Sequence, residues 1–135
     1  MTAHTASAVP FNEQDFLVRQ RQQLTARRVS YREQVERLSA AAEELAMAVE
    51  APDLGDDEGF AEGDTVNVER DRVMSLTAVA RRRIDDVDAA LHRLDTRTYG
   101  ACRSCRRAIP VARLEAVPEA TQCVACASGS VLRRR

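Results

Sequence analysis

The feature that most constrains this chain is a set of four cysteines arranged as two C-x-x-C pairs. Cys102 and Cys105 form the first pair, Cys123 and Cys126 form the second, and seventeen residues separate the pairs. A C-x-x-C turn curls its backbone around an ion and directs two thiolates at it. Two such turns supply the four sulfurs of a closed, tetrahedral zinc site. The four cysteines are therefore predicted to bind one structural Zn²⁺.

Two disulfides, a redox pair and an iron site are the alternatives for this cysteine pattern. A redox C-x-x-C normally occurs once, on a strand–helix turn, and needs no second pair. Residues 1–10 lack the basic and apolar regions of a secretory signal. No apolar run approaches the roughly 18 residues that a membrane span requires. We therefore expect a cytoplasmic protein whose thiols stay reduced and available to metal.

Heptad repeats predict two long helices before the cysteines. The first runs from about Glu13 to Glu50 without Gly or Pro, begins at the capping residue Asn12, and carries a seam at Leu17, Leu24, Tyr31, Leu38 and Leu45 with companions Val35, Ala42 and Val49. The second runs from about Thr65 to Thr96, with Val66, Val73, Ala80, Val87 and Leu94 and companions Thr77, Ile84 and Leu91. Arg21 and Arg28 interrupt the first seam, so we expect them either to pair with acids or to face another part of the chain.

A loop over residues 51–64 joins the two helices, because Pro52 and three glycines interrupt the helical pattern there. Folding about this loop brings Leu24 near Leu91, with Tyr31 near Ile84 and Leu38 near Leu76 farther along. The loop makes self-pairing cheaper than pairing with another chain, which is the alternative. The predicted fold is mainly α: a two-helix antiparallel coiled-coil hairpin plus a small C-terminal C4 zinc-finger module.

This pattern divides the chain into a disordered tail (1–12), a hairpin (13–98), a C4 zinc finger (99–127) and a basic tail (128–135). Ile109, Val111 and Leu114 are predicted to form the small core of the zinc finger, and Gly100 suits a left-handed site after the second helix. Net charge is −1, so the whole chain is not a nucleic-acid polycation. The charge is unevenly spread, with seven acids and no base from Glu50 to Asp64.

The stretch from Tyr99 to Cys126 resembles the DksA/TraR C4-type zinc-finger family. The likeness rests on the cysteine spacing, on Tyr99-Gly100 before it, and on Arg113-Leu114-Glu115-Ala116-x-Pro118 between the pairs. DksA-like members bind RNA polymerase and insert a coiled-coil hairpin, with an acidic tip, into its secondary channel. The resemblance therefore implies a transcription regulator without enzymatic activity, which does not read DNA sequence and has no membrane partner.

The resemblance also implies partner-binding residues in the tip loop. Asp53 and Asp56 match the two acids of the family's Asp-x-x-Asp-x-Ala motif, and Asp57 follows them. Glu58 stands where the motif has Ala. Val117 stands where some family members carry a basic residue that binds ppGpp, so that site is not carried over and ppGpp is left open as a ligand.

Arginines around the cysteines are the remaining candidates. Arg106, Arg107 and Arg113 are predicted contacts to a partner or to phosphate, with Arg103 beside them. Arg106 also stands where family members usually have Gly. The alternative function is a zinc finger that binds nucleic acid through this Arg-rich C-terminal module. The near-zero net charge and the lack of interleaved aromatic and basic residues argue against it.

Overall fold

The computed structural model describes residues 11–50 and 59–129, with side chains at 11–48 and 65–129. Four helices follow one another: α1 (Glu13–Glu50), α2 (Gly59–Asp95), α3 (Val111–Ala116) and α4 (Val124–Ala127). The helices α1 and α2 pack along each other as a hairpin. No strand occurs in these described ranges, apart from an isolated bridge between Ala101 and Ala108. The predicted fold class is confirmed.

Helix α1 begins and ends where the sequence predicts. The Asp15 backbone N–H donates to Asn12 Oδ1 at 3.2 Å, so the side chain of Asn12 satisfies one of the free donors of the first turn. Glu13 and Asp15 lie in that turn, where the helix dipole favours negative charge.

Helix α2 begins at Gly59, six residues before the predicted start at Thr65. The prediction was wrong because it treated each glycine as a helix breaker. A glycine inside a helix costs only about 1 kcal/mol relative to alanine, whereas proline costs about 3 kcal/mol. Of the interrupting residues, only Gly59 and Gly63 lie in α2.

The left-handed residue directly after α2 is Arg97, with φ 59°. The sequence predicts Gly100 for this site. The Thr98 N–H donates to the Arg93 carbonyl at 2.9 Å, which is the long backbone bond of a Schellman-type helix end. Gly100 is also left-handed, with φ 87°, and a Cβ at this position would lie 3.5 Å from Cδ1 of the buried Leu114.

Two ion pairs define the register of the hairpin. Arg21 Nη2 lies 2.6 Å from Asp95 Oδ1, and Arg28 Nη1 lies 3.1 Å from Asp88 Oδ1. The pairs are seven residues apart on both helices, so one register holds along this part of the seam. The two arginines that interrupt the heptad pattern therefore pair with acids across the hairpin.

Along the seam of α2, every seventh residue is buried, at Val73, Ala80 and Val87. Leu24 of α1 packs with Val87, Ala90 and Leu91, as the predicted Leu24–Leu91 pairing requires. The helices thus pair within the chain.

A second buried cluster joins the base of the hairpin to the zinc module (99–127). It contains Ile109 and Leu114, as predicted, together with Phe16 of α1 and Cys102 and Cys126. Val111 is 37% exposed, so its predicted place in this core was wrong. It is the first residue of α3, and the only buried residue of that helix is Leu114, one turn later. Tyr99 packs against both clusters.

Candidate metal centre

The first C-x-x-C pair lies in a tight loop, residues 102–107, here called the first knuckle. The Cys102 N–H donates to the Arg107 carbonyl and the Arg106 N–H donates to the Cys102 carbonyl, both at 2.8 Å. These bonds close the loop around Arg106, whose backbone is left-handed with φ 63°. Arg106 therefore occupies a backbone position that glycine adopts at lower cost.

The second pair lies at the start of α4. Cys123 is the N-cap residue, and the Ala127 N–H donates to its carbonyl at 2.9 Å. Cys126 is buried one turn later. The Arg103 N–H donates to the Thr121 carbonyl at 2.9 Å, which joins the first knuckle to the segment leading into the second pair.

The four cysteine sulfurs all lie within 4.8 Å of one another, and none forms a disulfide. The Cys105 and Cys123 sulfurs are 3.9 Å apart. Sulfurs bound tetrahedrally at about 2.3 Å from zinc are separated by about 3.8 Å, so this spacing fits the metal. Four thiolates leave no open coordination position, which makes the site structural rather than catalytic.

The thiols differ in how readily they lose a proton. Backbone N–H groups of Cys105 and Cys123 donate toward the Cys102 sulfur and lower the pKa of that thiol to about 6. Burial raises the pKa of Cys126 to about 12. Zinc requires all four as thiolates, so its binding must displace the tightly held proton of Cys126.

Gln20 of α1 connects the hairpin to the zinc module. Its side chain is only 2% exposed, and its Nε2 donates to the Leu114 carbonyl at 2.7 Å and to Tyr99 Oη at 2.8 Å. The Tyr99 hydroxyl in turn donates to the Pro118 carbonyl at 2.7 Å. Burial raises the pKa of Tyr99, so the hydroxyl stays protonated and remains a donor. One buried amide thus satisfies the end of α3 and orients the tyrosine.

An ion pair adds a second connection. Glu119 is 7% exposed and accepts from Arg27 Nη1 at 3.1 Å and 3.4 Å through its two carboxylate oxygens. Arg27 Nη2 also donates to the Ala116 carbonyl at 3.4 Å. From α2, Arg93 Nη2 donates to the Glu119 backbone carbonyl at 3.4 Å. Both long helices therefore hold the segment between the two cysteine pairs.

The candidate arginines divide into two groups. Arg113 Nε donates to the Gln122 carbonyl at 2.8 Å, so this residue braces the zinc module internally. Arg103, Arg106 and Arg107 are exposed on the first knuckle. The tip residues Asp53, Asp56 and Asp57 lie outside the described residues, as do residues 1–10 and 130–135 of the predicted tails.

The residues that join the hairpin to the zinc module were not predicted. They recur along α1 at intervals of three and four residues, at Phe16, Gln20, Gln23 and Arg27. Gln23 Nε2 also donates to the Glu115 carbonyl at 3.4 Å. This spacing marks a second buried face of α1 beside the heptad seam. The only apolar member of the stripe is Phe16, so a pattern based on hydrophobicity does not detect it.

The fold and site define a helical hairpin that carries a four-cysteine zinc module at its base. Residues 97–131 match the model of the prokaryotic dksA/traR C4-type zinc-finger family. This segment is a zinc finger of that type, which confirms the resemblance seen in the sequence, and the four cysteines hold one structural zinc.

The whole chain is similar in fold to transcription factor DksA2 from Pseudomonas aeruginosa. The TM-score is 0.72 at 24% sequence identity, and the superposition covers 91% of this chain and 88% of that one. Among curated proteins, none matches this sequence. Within the described ranges, no helix combines the length and apolarity needed to cross a membrane.

Proposed function

We propose that this protein is a cytoplasmic transcription regulator that binds RNA polymerase and inserts its hairpin into the secondary channel. The observation that carries the proposal is the combination of a dksA/traR-type zinc finger with a fold similar, over 91% of the chain, to that of a transcription factor. In this function the protein acts by binding and has no catalytic activity of its own.

The dimensions of the hairpin suit insertion into a channel. Helices of 38 and 37 residues, at about 1.5 Å per residue, make a rod of roughly 55 Å. The inter-helix ion pairs are solvent-exposed and contribute little stability, roughly 0–1 kcal/mol each. Their main effect is to favour a single register of the two helices.

The base of the rod suits an anchor. Gln20 and the Arg27–Glu119 pair hold the zinc module against both helices, and the metal holds the module together. A hairpin fixed at its base presents its far end in one direction. We propose that Asp53, Asp56 and Asp57, at that far end, contact the polymerase near its active site.

A pull-down with core RNA polymerase, followed by in vitro transcription, tests this function. The test variant is Asp53→Asn/Asp56→Asn, and the matched control is Asp85→Asn/Asp86→Asn, which removes two exposed acids from the side of α2. We expect the tip variant to bind polymerase as the wild type does but to lose its effect on transcription. The control should keep both properties.

Two results would contradict this proposal in different ways. Failure of the wild type to retain core polymerase would exclude the polymerase as the partner. Unchanged regulation by the tip variant would show that Asp53 and Asp56 are not the working residues, even if the polymerase is the partner.

A further inference from the structure

The first knuckle carries an uncompensated positive surface. Arg103, Arg106 and Arg107 are all exposed, and within the described part of the chain none of them forms an ion pair. The sequence has no acid between Asp95 and Glu115, and Asp95 is already paired with Arg21. We call these three residues the arginine face.

The geometry of the loop concentrates this charge. The ends of the first knuckle are joined by the 2.8 Å bond from the Cys102 N–H to the Arg107 carbonyl, so the backbone positions of the three arginines belong to one tight loop. Burial lowers the pKa of Arg93 on α2, and the charge of Arg103 lowers it further, while Tyr99 and Asp86 raise it, so the positive charge of the first knuckle is felt at the base of α2.

Arg106 is the most informative member of the arginine face. Its left-handed backbone, with φ 63°, costs a non-glycine residue roughly 1–2 kcal/mol, a cost that glycine avoids. No hydrogen bond or ion pair of its side chain, within the described residues, offsets this cost. Strained positions of this kind concentrate where a side chain serves function rather than stability.

The surroundings of the arginine face favour a nucleic-acid backbone over a protein. The exposed large hydrophobic residues of the zinc module are Val111 and Val124, and neither belongs to the first knuckle, so the arginine face itself offers no apolar anchor of the kind typical of a protein interface. The only aromatic residue from 97 to 135 is Tyr99, whose hydroxyl is already bonded inside the module, so bases of a single strand have no ring to stack on. Guanidinium groups match phosphate oxygens in shape and charge.

We infer that the arginine face is a local binding site for the phosphate backbone of duplex DNA, independent of base sequence, on a chain whose near-zero net charge argues only against nucleic-acid binding by the chain as a whole. This site lies on the zinc module, at the opposite end of the hairpin from the acidic tip loop. It does not depend on the polymerase function proposed above. It would let the protein hold DNA and, separately, present its hairpin to another partner.

Fluorescence anisotropy with the full-length, zinc-loaded protein and a labelled duplex tests the inference. The variant is Arg103→Gln/Arg106→Gly/Arg107→Gln, in which glycine suits the left-handed position and preserves the loop. The matched control is Arg81→Gln/Arg82→Gln/Arg83→Gln, which removes the same charge from an exposed stretch of α2 that Asp85 and Asp86 follow closely. Zinc content and thermal unfolding confirm that both variants are folded.

For three phosphate contacts, the slope of log affinity against log salt concentration should be about −2.7. A slope of that size weakens wild-type binding about fortyfold between 50 and 200 mM salt. Two duplexes of unrelated sequence should bind equally, and single-stranded DNA should bind less tightly. The knuckle variant should lose most of the slope and bind at least about tenfold more weakly at 50 mM salt, while the control variant behaves like the wild type.

Several outcomes would overturn the inference. The two triple variants could weaken binding equally, which would indicate a general charge effect. The knuckle variant could bind duplex as tightly as the wild type, or the wild type could fail to bind at 50 mM salt. Loss of core polymerase retention by the knuckle variant, with no change in DNA binding, would assign the arginine face to an acidic protein surface instead.

Discussion

Replacing Gln20 with leucine should undock the zinc module from the hairpin. Leucine keeps most of the volume and the helix propensity of glutamine but removes both donated hydrogen bonds. Loss of the bond to Tyr99 costs about 0.5–1.5 kcal/mol, and the buried Leu114 carbonyl left without its donor costs about 1–3 kcal/mol. Burial of the apolar leucine side chain offsets part of this loss in stability, so we expect a net destabilisation of about 2–3 kcal/mol.

The assay is thermal unfolding followed by circular dichroism, with zinc at a fixed excess because bound metal itself raises the unfolding temperature. For a chain of this length, 2–3 kcal/mol corresponds to a fall in Tm of about 8–12 °C. Gln22→Leu is the matched control, because Gln22 lies two residues away on the exposed side of the same helix. The control should change stability by no more than about 0.5 kcal/mol.

A Gln20→Leu variant as stable as Gln22→Leu would refute this reasoning, since water would then be replacing the lost donors at a site that the structure shows as buried. A double variant with Tyr99→Phe gives a second check. Gln20 and Tyr99 share one hydrogen bond, so their separate effects should not add, with a coupling of about 1 kcal/mol.

Three further predictions rest on other contacts of the zinc module. Arg27→Met should destabilise the protein by about 2 kcal/mol, because Glu119 then remains buried without its cation; adding Glu119→Gln should recover part of the loss in a double-mutant cycle. Arg106→Gly should raise the free energy of unfolding by about 1 kcal/mol in urea titrations, whereas Arg107→Gly should not, because Arg107 is not left-handed. Burial raises the pKa of Tyr99, so the stability contributed by its neutral hydroxyl should be fully present below about pH 10 and should fall as pH rises through the raised pKa. In measurements of Tm against pH, Tyr99→Phe should remove this alkaline loss.

The sequence predicts the parts of the structure that depend on local spacing. The C-x-x-C pairs, the cap at Asn12 and the heptad seam each depend on residues a few positions apart, and the structure agrees with all three. The seam also predicts the pairing of Leu24 with Leu91, because a register shift would bring the polar faces of the helices together.

The docking of the zinc module could not be predicted in the same way. Gln20 and Glu119 are polar, and their burial depends on partners 79 and 92 residues away in sequence. Nothing near Gln20 distinguishes it from the exposed Gln22 except its position on the second stripe of α1. The predicted burial of Val111 was wrong for a related reason, because the orientation of α3 against α1 decides which residues of α3 are buried.

Because the two helices share one register and the base is fixed, the number of residues in the helices sets how far the hairpin extends from the zinc module. Each residue added to a helix lengthens it by about 1.5 Å and rotates the residues beyond it by about 100°. An insertion of one heptad in both helices would move the far end outward by about 10 Å and keep the seam aligned with the zinc module. Shorter insertions would swing the same end around the axis of the rod. Reach in this architecture can therefore change only in steps of one heptad if the seam is to stay aligned.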